Sequence, residues 1–122
     1  MALIKNLDTL ASTPLRQKAL SIVEAGLEAI QPQKVMGSEL RLENTKLYVK
    51  GEKFDLSNFE RIFLVGFGKG SSGVAKYLEG LLGDRLTAGW DIDVVDETFD
   101  KVIYTKGTHP LPSQINLDFT EI

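Results

Sequence analysis

The chain has 122 residues, with 14 basic and 17 acidic side chains and a formal net charge of −3. Its hydrophobic content of 43% and charged content of 25% suit a globular chain with one sizeable core. The acidity argues against a general nucleic-acid binder, no apolar run approaches the ~20 residues of a membrane span, and the lack of Cys excludes disulfide scaffolds and thiolate metal sites. Met1 to Asn6 carries no apolar stretch of secretory length, so a cytoplasmic protein is expected.

The first expected element is a helix. Ser12 or Thr13 can cap it, and Pro14 suits its first position. Leu15, Ala19, Ile22, Val23, Leu27 and Ile30 recur at three- and four-residue steps and form one face, and Pro32 stops the run. Gly26 lies on that stripe, where it fits either a close helix contact or simple tolerance at about 1 kcal/mol against Ala. Leu40 to Asp55 reads as short strands, with Tyr48–Lys50 and Lys53–Phe54 forming a hairpin around Gly51. Asp55 to Glu60 is polar and turn-like, with Asp55 or Ser57 placed as a cap.

The centre of the chain is the most informative part. Ile62-Phe63-Leu64-Val65 is continuously apolar, the pattern of a strand buried on both faces of a parallel sheet. It runs into Gly66-Phe67-Gly68-Lys69-Gly70-Ser71-Ser72-Gly73. A helix follows, with Val74, Leu78, Leu81 and Leu82 on one face and its end near Gly83-Asp84. Trp90, Ile92 and Val94 then alternate with Asp91 and Asp93, which reads as a half-buried strand with the two Asp on a solvated face. Ile62 to Val95 is therefore a βαβ unit. A further strand covers Val102 to Thr105, followed by a loop holding His109 and a tail, Ile115 to Ile122, too short for a stable element alone. The expected fold is α/β: a three-layer, Rossmann-like domain with a mostly parallel sheet flanked by helices, the Ile62–Val65 strand at its centre, plus a small β-hairpin.

A glycine-rich turn between a buried strand and a helix can bind an anion. Gly66, Gly68 and Gly70 can take positive φ and let a ligand approach the backbone. The N–H groups of Ser71, Ser72 and Gly73 would point out of the helix start, where the macrodipole favours negative charge, and Lys69 adds a full positive charge. Ligands in such sheets sit at the carboxyl ends of the strands. The alternative is a tight turn with an exposed Lys. Two standard motifs fail here: Phe63 stands where a P-loop requires Gly, and Ser71 where a dinucleotide fingerprint requires a third Gly or Ala. Asp96 could still serve a ribose. His109, the one imidazole, follows a strand that ends at the same sheet edge if both strands are parallel. No metal-ligand spacing stands out.

Four segments, in order, carry a resemblance. Ala19 to Ile30, Asp55 to Lys69, Leu81 to Gly89 and His109 to Pro112 are similar to segments of the type-2 glycerate kinase family, from about Leu15 to the end of the chain. The resemblance implies ATP-dependent, Mg²⁺-dependent phosphorylation of D-glycerate at its 2-hydroxyl. It implies Lys69 as the catalytic residue, with Gly66, Gly68, Gly70, Ser71, Ser72 and His109 binding substrate or phosphate. It assigns no metal ligand to this chain. Gly70 stands where the family usually has Ala, Val74 where Met is frequent, and Ser113 where an acidic residue is common.

Family members are considerably longer and place the active site in a cleft between two domains. The expectation is thus a single truncated N-terminal domain over residues 1–122, without the second domain and inactive alone. Its partners would be glycerate and a nucleotide, with no nucleic acid and no membrane, and with self-association through the exposed cleft face. Two other readings compete: a sugar-phosphate-binding module like sugar isomerase domains, with Ser71 and Ser72 on the phosphate, and a noncatalytic self-associating remnant.

Overall fold

The computed structural model describes residues 3–121; Met1 and Ala2 of the N-terminal stretch and Ile122 of the tail lie outside the described residues. The chain divides into two compact units, one up to Ser38 and one from Glu39 onward.

The first unit is helical. Helix α1 spans Leu7–Leu10 and α2 spans Pro14–Ala29. Thr13 caps α2, its hydroxyl accepting from the Arg16 N–H at 3.3 Å. The Glu24 carboxylate accepts from the N–H groups of Leu3 and Ile4. Pro32 ends α2 and also opens α3 (Pro32–Glu39), because a first-turn residue has no intrahelical partner for the N–H that proline lacks. The apolar stripe of α2 is not a core face: Leu15, Ile22 and Ile30 are 79%, 69% and 68% exposed. A Cβ on Gly26 would meet nothing within 4 Å, so this glycine is tolerated rather than required.

The second unit holds two sheets. Strands β1 (Leu40–Glu43), β2 (Lys46–Val49) and β3 (Glu52–Asp55) form an antiparallel meander in the order β1-β2-β3, one strand more than the expected hairpin. The β2–β3 turn is Lys50-Gly51, both at positive φ, the geometry that matches strand twist in a two-residue hairpin. Asp55 caps a 3₁₀ turn over Leu56–Asn58, and the Ser57 hydroxyl and N–H hold its carboxyl at a pKa of about 2.

Strands β4 (Phe63–Phe67), β5 (Ala88–Asp93) and β6 (Val102–Lys106) form a parallel sheet in that order. Helix α4 (Ser71–Leu82) makes the crossover from β4 to β5. The βαβ reading holds, but the first strand lies at the sheet edge, not at its centre. One of its faces is also open to solvent, with Phe63, Val65 and Phe67 at least half exposed. Continuous apolarity signals that both faces of β4 can be covered. Among the described residues α4 covers one face, while on the other Phe119, at the end of the short helix α5 (Gln114–Phe119), shares an open cleft with Val65 and Phe67. That helix forms where the tail seemed too short, because Ser113 and Asn116 cap it reciprocally.

Of the expected face of α4, Leu82 is buried and Val74, Leu78 and Leu81 are half-buried; Ser72, Ala75 and Glu79 are the other buried residues of the helix. Leu56, Leu82, Leu86 and Val102 form the core, with Leu42, Leu47, Ile62, Leu64 and Phe99 packed against it. Leu86 is 1% exposed. Leu86→Ala should therefore cost about 2–5 kcal/mol, read as a lowered urea midpoint at unchanged m-value. Ile22→Ala, on the open stripe of α2, should stay within about 0.5 kcal/mol of the parent.

Candidate functional site

The parallel register brings three strand ends to one edge: the glycine loop after β4, Asp93 at the end of β5, and the His109 loop after β6. Strand β5 is inverted relative to the sequence reading. Asp91 and Asp93 are 0% and 2% exposed, whereas Trp90 and Ile92 lie on the half-open face. Alternation reports that a strand has two unlike faces but not which one turns inward. Here the carboxylate face turns toward α4, because the start of that helix needs an acceptor.

Asp93 supplies it. The N–H groups of Gly70 and Ser72 donate to Asp93 Oδ2 at 2.9 and 3.1 Å, and the Ser72 hydroxyl donates at 2.7 Å. The Val94 N–H donates to Oδ1 at 2.6 Å. Burial pushes this carboxyl up, but the Ser72 hydroxyl and the N–H groups of Val94, Ser72 and Gly70 outweigh it and hold the pKa below 3.8. The Asp93 carbonyl also accepts from the Gly107 N–H at 2.8 Å, anchoring the start of the His109 loop.

Asp91 has the opposite environment. Neither carboxylate oxygen has a hydrogen-bond partner among the described residues. Burial pushes its pKa above 3.8, with the Asp93 charge adding to the rise. The Ser71 hydroxyl offsets only part of this, since it donates to the Ile92 carbonyl at 3.2 Å. A Cβ on Gly66 would stand 2.1 Å from Asp91 Oδ1, so Gly66 is required by this buried side chain and not by positive φ.

The other predicted site residues lie along the same edge. Gly68 and Gly70 have φ of +97° and +88°, as the turn requires. The Gly68 N–H donates to the Ile92 carbonyl at 3.0 Å, and the Ser71 N–H to the Gly68 carbonyl at 3.1 Å. The N–H groups of Ser71 and Ser72 are therefore engaged within the protein, contrary to the reading that they point outward. Lys69 is exposed and has no ion pair among the described residues. His109 is exposed and precedes Pro110 through a cis peptide bond. Its loop is held by the Thr108 N–H donating to Asn116 Oδ1 at 3.1 Å and the Thr108 hydroxyl donating to the Leu111 carbonyl at 2.8 Å.

The sequence reading passed over Glu79. Its Oε1 accepts from the N–H groups of Asp100, Lys101 and Val102 at 3.1, 2.7 and 3.0 Å, fixing the start of β6. A charged residue on the buried face of α4, one turn from Ala75, was the available signal. Tyr104, beside Asp91 across the ladder, has its pKa pushed up to about 12 by burial and by the charges of Asp93, Asp91, Asp96 and Glu97.

The sheet, the crossover helix and the glycine turn at the carboxyl edge define an open parallel α/β domain. The family described as a domain of unknown function, DUF4147, matches residues 18–121. The chain is 36% identical over 75 residues to a glycerate kinase of Danio rerio, covering 62% of this chain and 14% of that protein. It is 26% identical over 121 residues to a glycerate 2-kinase of Picrophilus torridus, covering 94% of this chain and 26% of that protein. The crystal structure of the PH0495 protein from Pyrococcus horikoshii OT3 superimposes with a TM-score of 0.64 at 16% identity, over 90% of this chain and 25% of that one, which shows a shared fold. The chain belongs to the DUF4147 family, the N-terminal domain of the glycerate 2-kinases. It spans about a quarter or less of the length of these relatives.

The structure makes Asp93 the residue on which the loop depends. Asp93→Ala leaves three N–H groups and a hydroxyl without their acceptor and should destabilise the protein by about 2–4 kcal/mol at neutral pH. Because the folded pKa lies below 3.8, this contribution is complete above pH ~4 and is lost as the pH falls through the folded value. Urea titrations of parent and variant should therefore differ more at pH 7 than at pH 3, the gap narrowing as the pH falls below 3.8 toward the folded value.

Proposed function

We propose that this chain forms one wall of the substrate cleft of a glycerate 2-kinase, which transfers a phosphoryl group from ATP to the 2-hydroxyl of D-glycerate, and that Lys69 is its contact with an anionic group of substrate or nucleotide. One observation carries the reading. Lys69 is an exposed, unpaired cation at the carboxyl end of a parallel strand, on a loop whose conformation is fixed on both sides by Gly68, Gly70 and Asp93. Phosphoryl transfer depends chiefly on positioning and charge stabilisation, which a lysine on a rigid loop supplies.

The division of labour in the loop differs from a helix-terminus anion site. The Asp93 carboxylate already occupies the start of α4, so the attraction for an external anion falls to the Lys69 side chain. Ser71 and Ser72 donate their hydroxyls inward, which weighs against a sugar-phosphate module built on these serines. His109, presented by the neighbouring loop, would line the same edge. Among the described residues no group of three or more His, Cys, Asp or Glu can hold a metal, and Asp91 and Asp93 are buried beneath the loop. Buried as they are, Asp91 and Asp93 do not fit a Mg²⁺ site. No helix among the described residues is long and apolar enough to cross a membrane.

With one cation and one wall of a cleft, the chain alone should show far less turnover than the ~1–100 s⁻¹ of ordinary kinases. Amide shifts followed during titration with phosphate and with D-glycerate should be largest within residues 66–73 and should vanish in Lys69→Ala. Shifts centred elsewhere contradict the role of Lys69. ADP release at ordinary kinase rates, abolished by Lys69→Ala, contradicts the single-wall reading.

A further inference from the structure

The loop between β6 and α5 runs from Gly107 to Ser113 and carries His109 near its tip. The tip has few means of holding itself in place. Pro110 and Pro112 lack an N–H, and His109, Pro110, Leu111 and Pro112 are all exposed. The place of the imidazole is therefore set by whatever ties the two ends of the loop.

Both ends are tied to one atom. Asn116 Oδ1 accepts from the Thr108 N–H at 3.1 Å and from the N–H and hydroxyl of Ser113, each at 3.0 Å. The Thr108 hydroxyl, also 3.1 Å from that oxygen, donates to the Leu111 carbonyl at 2.8 Å and braces the loop across its width. An amide oxygen has two lone pairs, so three donors exceed its ordinary share. Capping α5 requires only the Ser113 part of this set. The bond from Thr108, eight residues away in the chain, does nothing for the helix and closes the loop.

Gly107 completes the clamp. It is buried, and its N–H donates to the Asp93 carbonyl at 2.8 Å. A Cβ there would stand 2.5 Å from Asn116 Nδ2 and 3.0 Å from Ile92 Cδ1. The Asn116 amide thus lies with its nitrogen against the end of β6 and its oxygen on the loop. Through Gly107 it is joined to Asp93, the residue that also fixes the turn carrying Lys69.

We infer that Asn116 is a positioning residue: by clamping Thr108 to Ser113 against Gly107, it holds His109 where the imidazole joins Lys69 in contacting an anionic group of the ligand. This role rests on the reading of the same sheet edge as the anion-binding site. Positioning of this kind acts through the residue held and not through contact with the ligand.

The probe is inorganic phosphate, titrated into the parent chain and its variants. The chain has one His, so the imidazole resonances belong to His109 alone. Phosphate should shift them in the parent. His109→Ala should weaken phosphate binding about tenfold, near the worth of one hydrogen bond to a charged group. Asn116→Leu removes the acceptor at similar volume and should lose most of the same factor, with a smaller imidazole shift. In the His109→Ala background it should cost nothing further. Asn116→Asp keeps an accepting oxygen and should restore the imidazole shift. Gly107→Ala displaces the amide from the other side and should reproduce Asn116→Leu, and it replaces that variant in the cycle where Asn116→Leu does not fold. Additive losses from His109→Ala and Asn116→Leu overturn the inference, as does an undiminished imidazole shift in both Asn116→Leu and Gly107→Ala. Phosphate that needs Lys69 but never shifts His109 contradicts the role of Asn116 alone. Phosphate that shifts His109 and obeys the cycle in Lys69→Ala contradicts the role of Lys69 alone, and a chain that binds no phosphate contradicts both.

Discussion

The carboxylate of Asp93, buried against the start of α4, is the interaction on which the second unit depends. An α-helix begins with N–H groups that have no intrahelical partner and with a partial positive charge. In many α/β proteins a bound anion satisfies both; here a side chain of the adjacent strand does so. The same residue anchors the His109 loop through its carbonyl. One residue thereby links the ends of all three parallel strands. Glu79 repeats the device at the opposite end of α4, where its carboxylate gathers three N–H groups at the entry to β6.

This arrangement separates two carboxylates that the sequence presents as equivalent. Asp91 and Asp93 lie two residues apart on one strand face, and both are buried. Asp93 is surrounded by donors and stays charged. Asp91 has no hydrogen-bond partner among the described residues and is pushed toward its neutral form by burial and by the neighbouring charge. Burial pushes both carboxyls up, and the donors around Asp93 outweigh it there but not at Asp91. The pair also explains the glycine at position 66, where any side chain would collide with Asp91.

Much of the fold is legible in the sequence because local signals agree with it. Pro14 with Thr13 marks the start of α2, Lys50-Gly51 the hairpin turn, and the run from Ile62 through the glycines the strand–loop–helix passage. The inward face of β5 was not legible, since alternation has no sign and a capping carboxylate resembles a solvated one. The edge position of β4 was hidden for a related reason: an apolar strand records that it can be covered on both faces, not what covers it. The exposed stripe of α2 is the same lesson on a helix. Of the candidate site, the glycine loop and the parallel edge were readable. The internal use of the Ser71 and Ser72 hydrogen bonds was not, because it depends on a residue two elements away.

The comparisons place the chain with the N-terminal domain of glycerate 2-kinases, and the geometry narrows what this domain can offer to a ligand. With the helix start occupied internally, Lys69 is the positive charge the loop presents outward. That division of roles requires Asp93 to be held by its donors and to ionise at a lower pH than Asp91. Carbon-detected NMR of the two side-chain carboxyls across an acid titration tests this most directly. Asp93 should titrate below its ordinary value of 3.8 and Asp91 above it. Two carboxyls titrating together near 3.8, or in the reverse order, would contradict it.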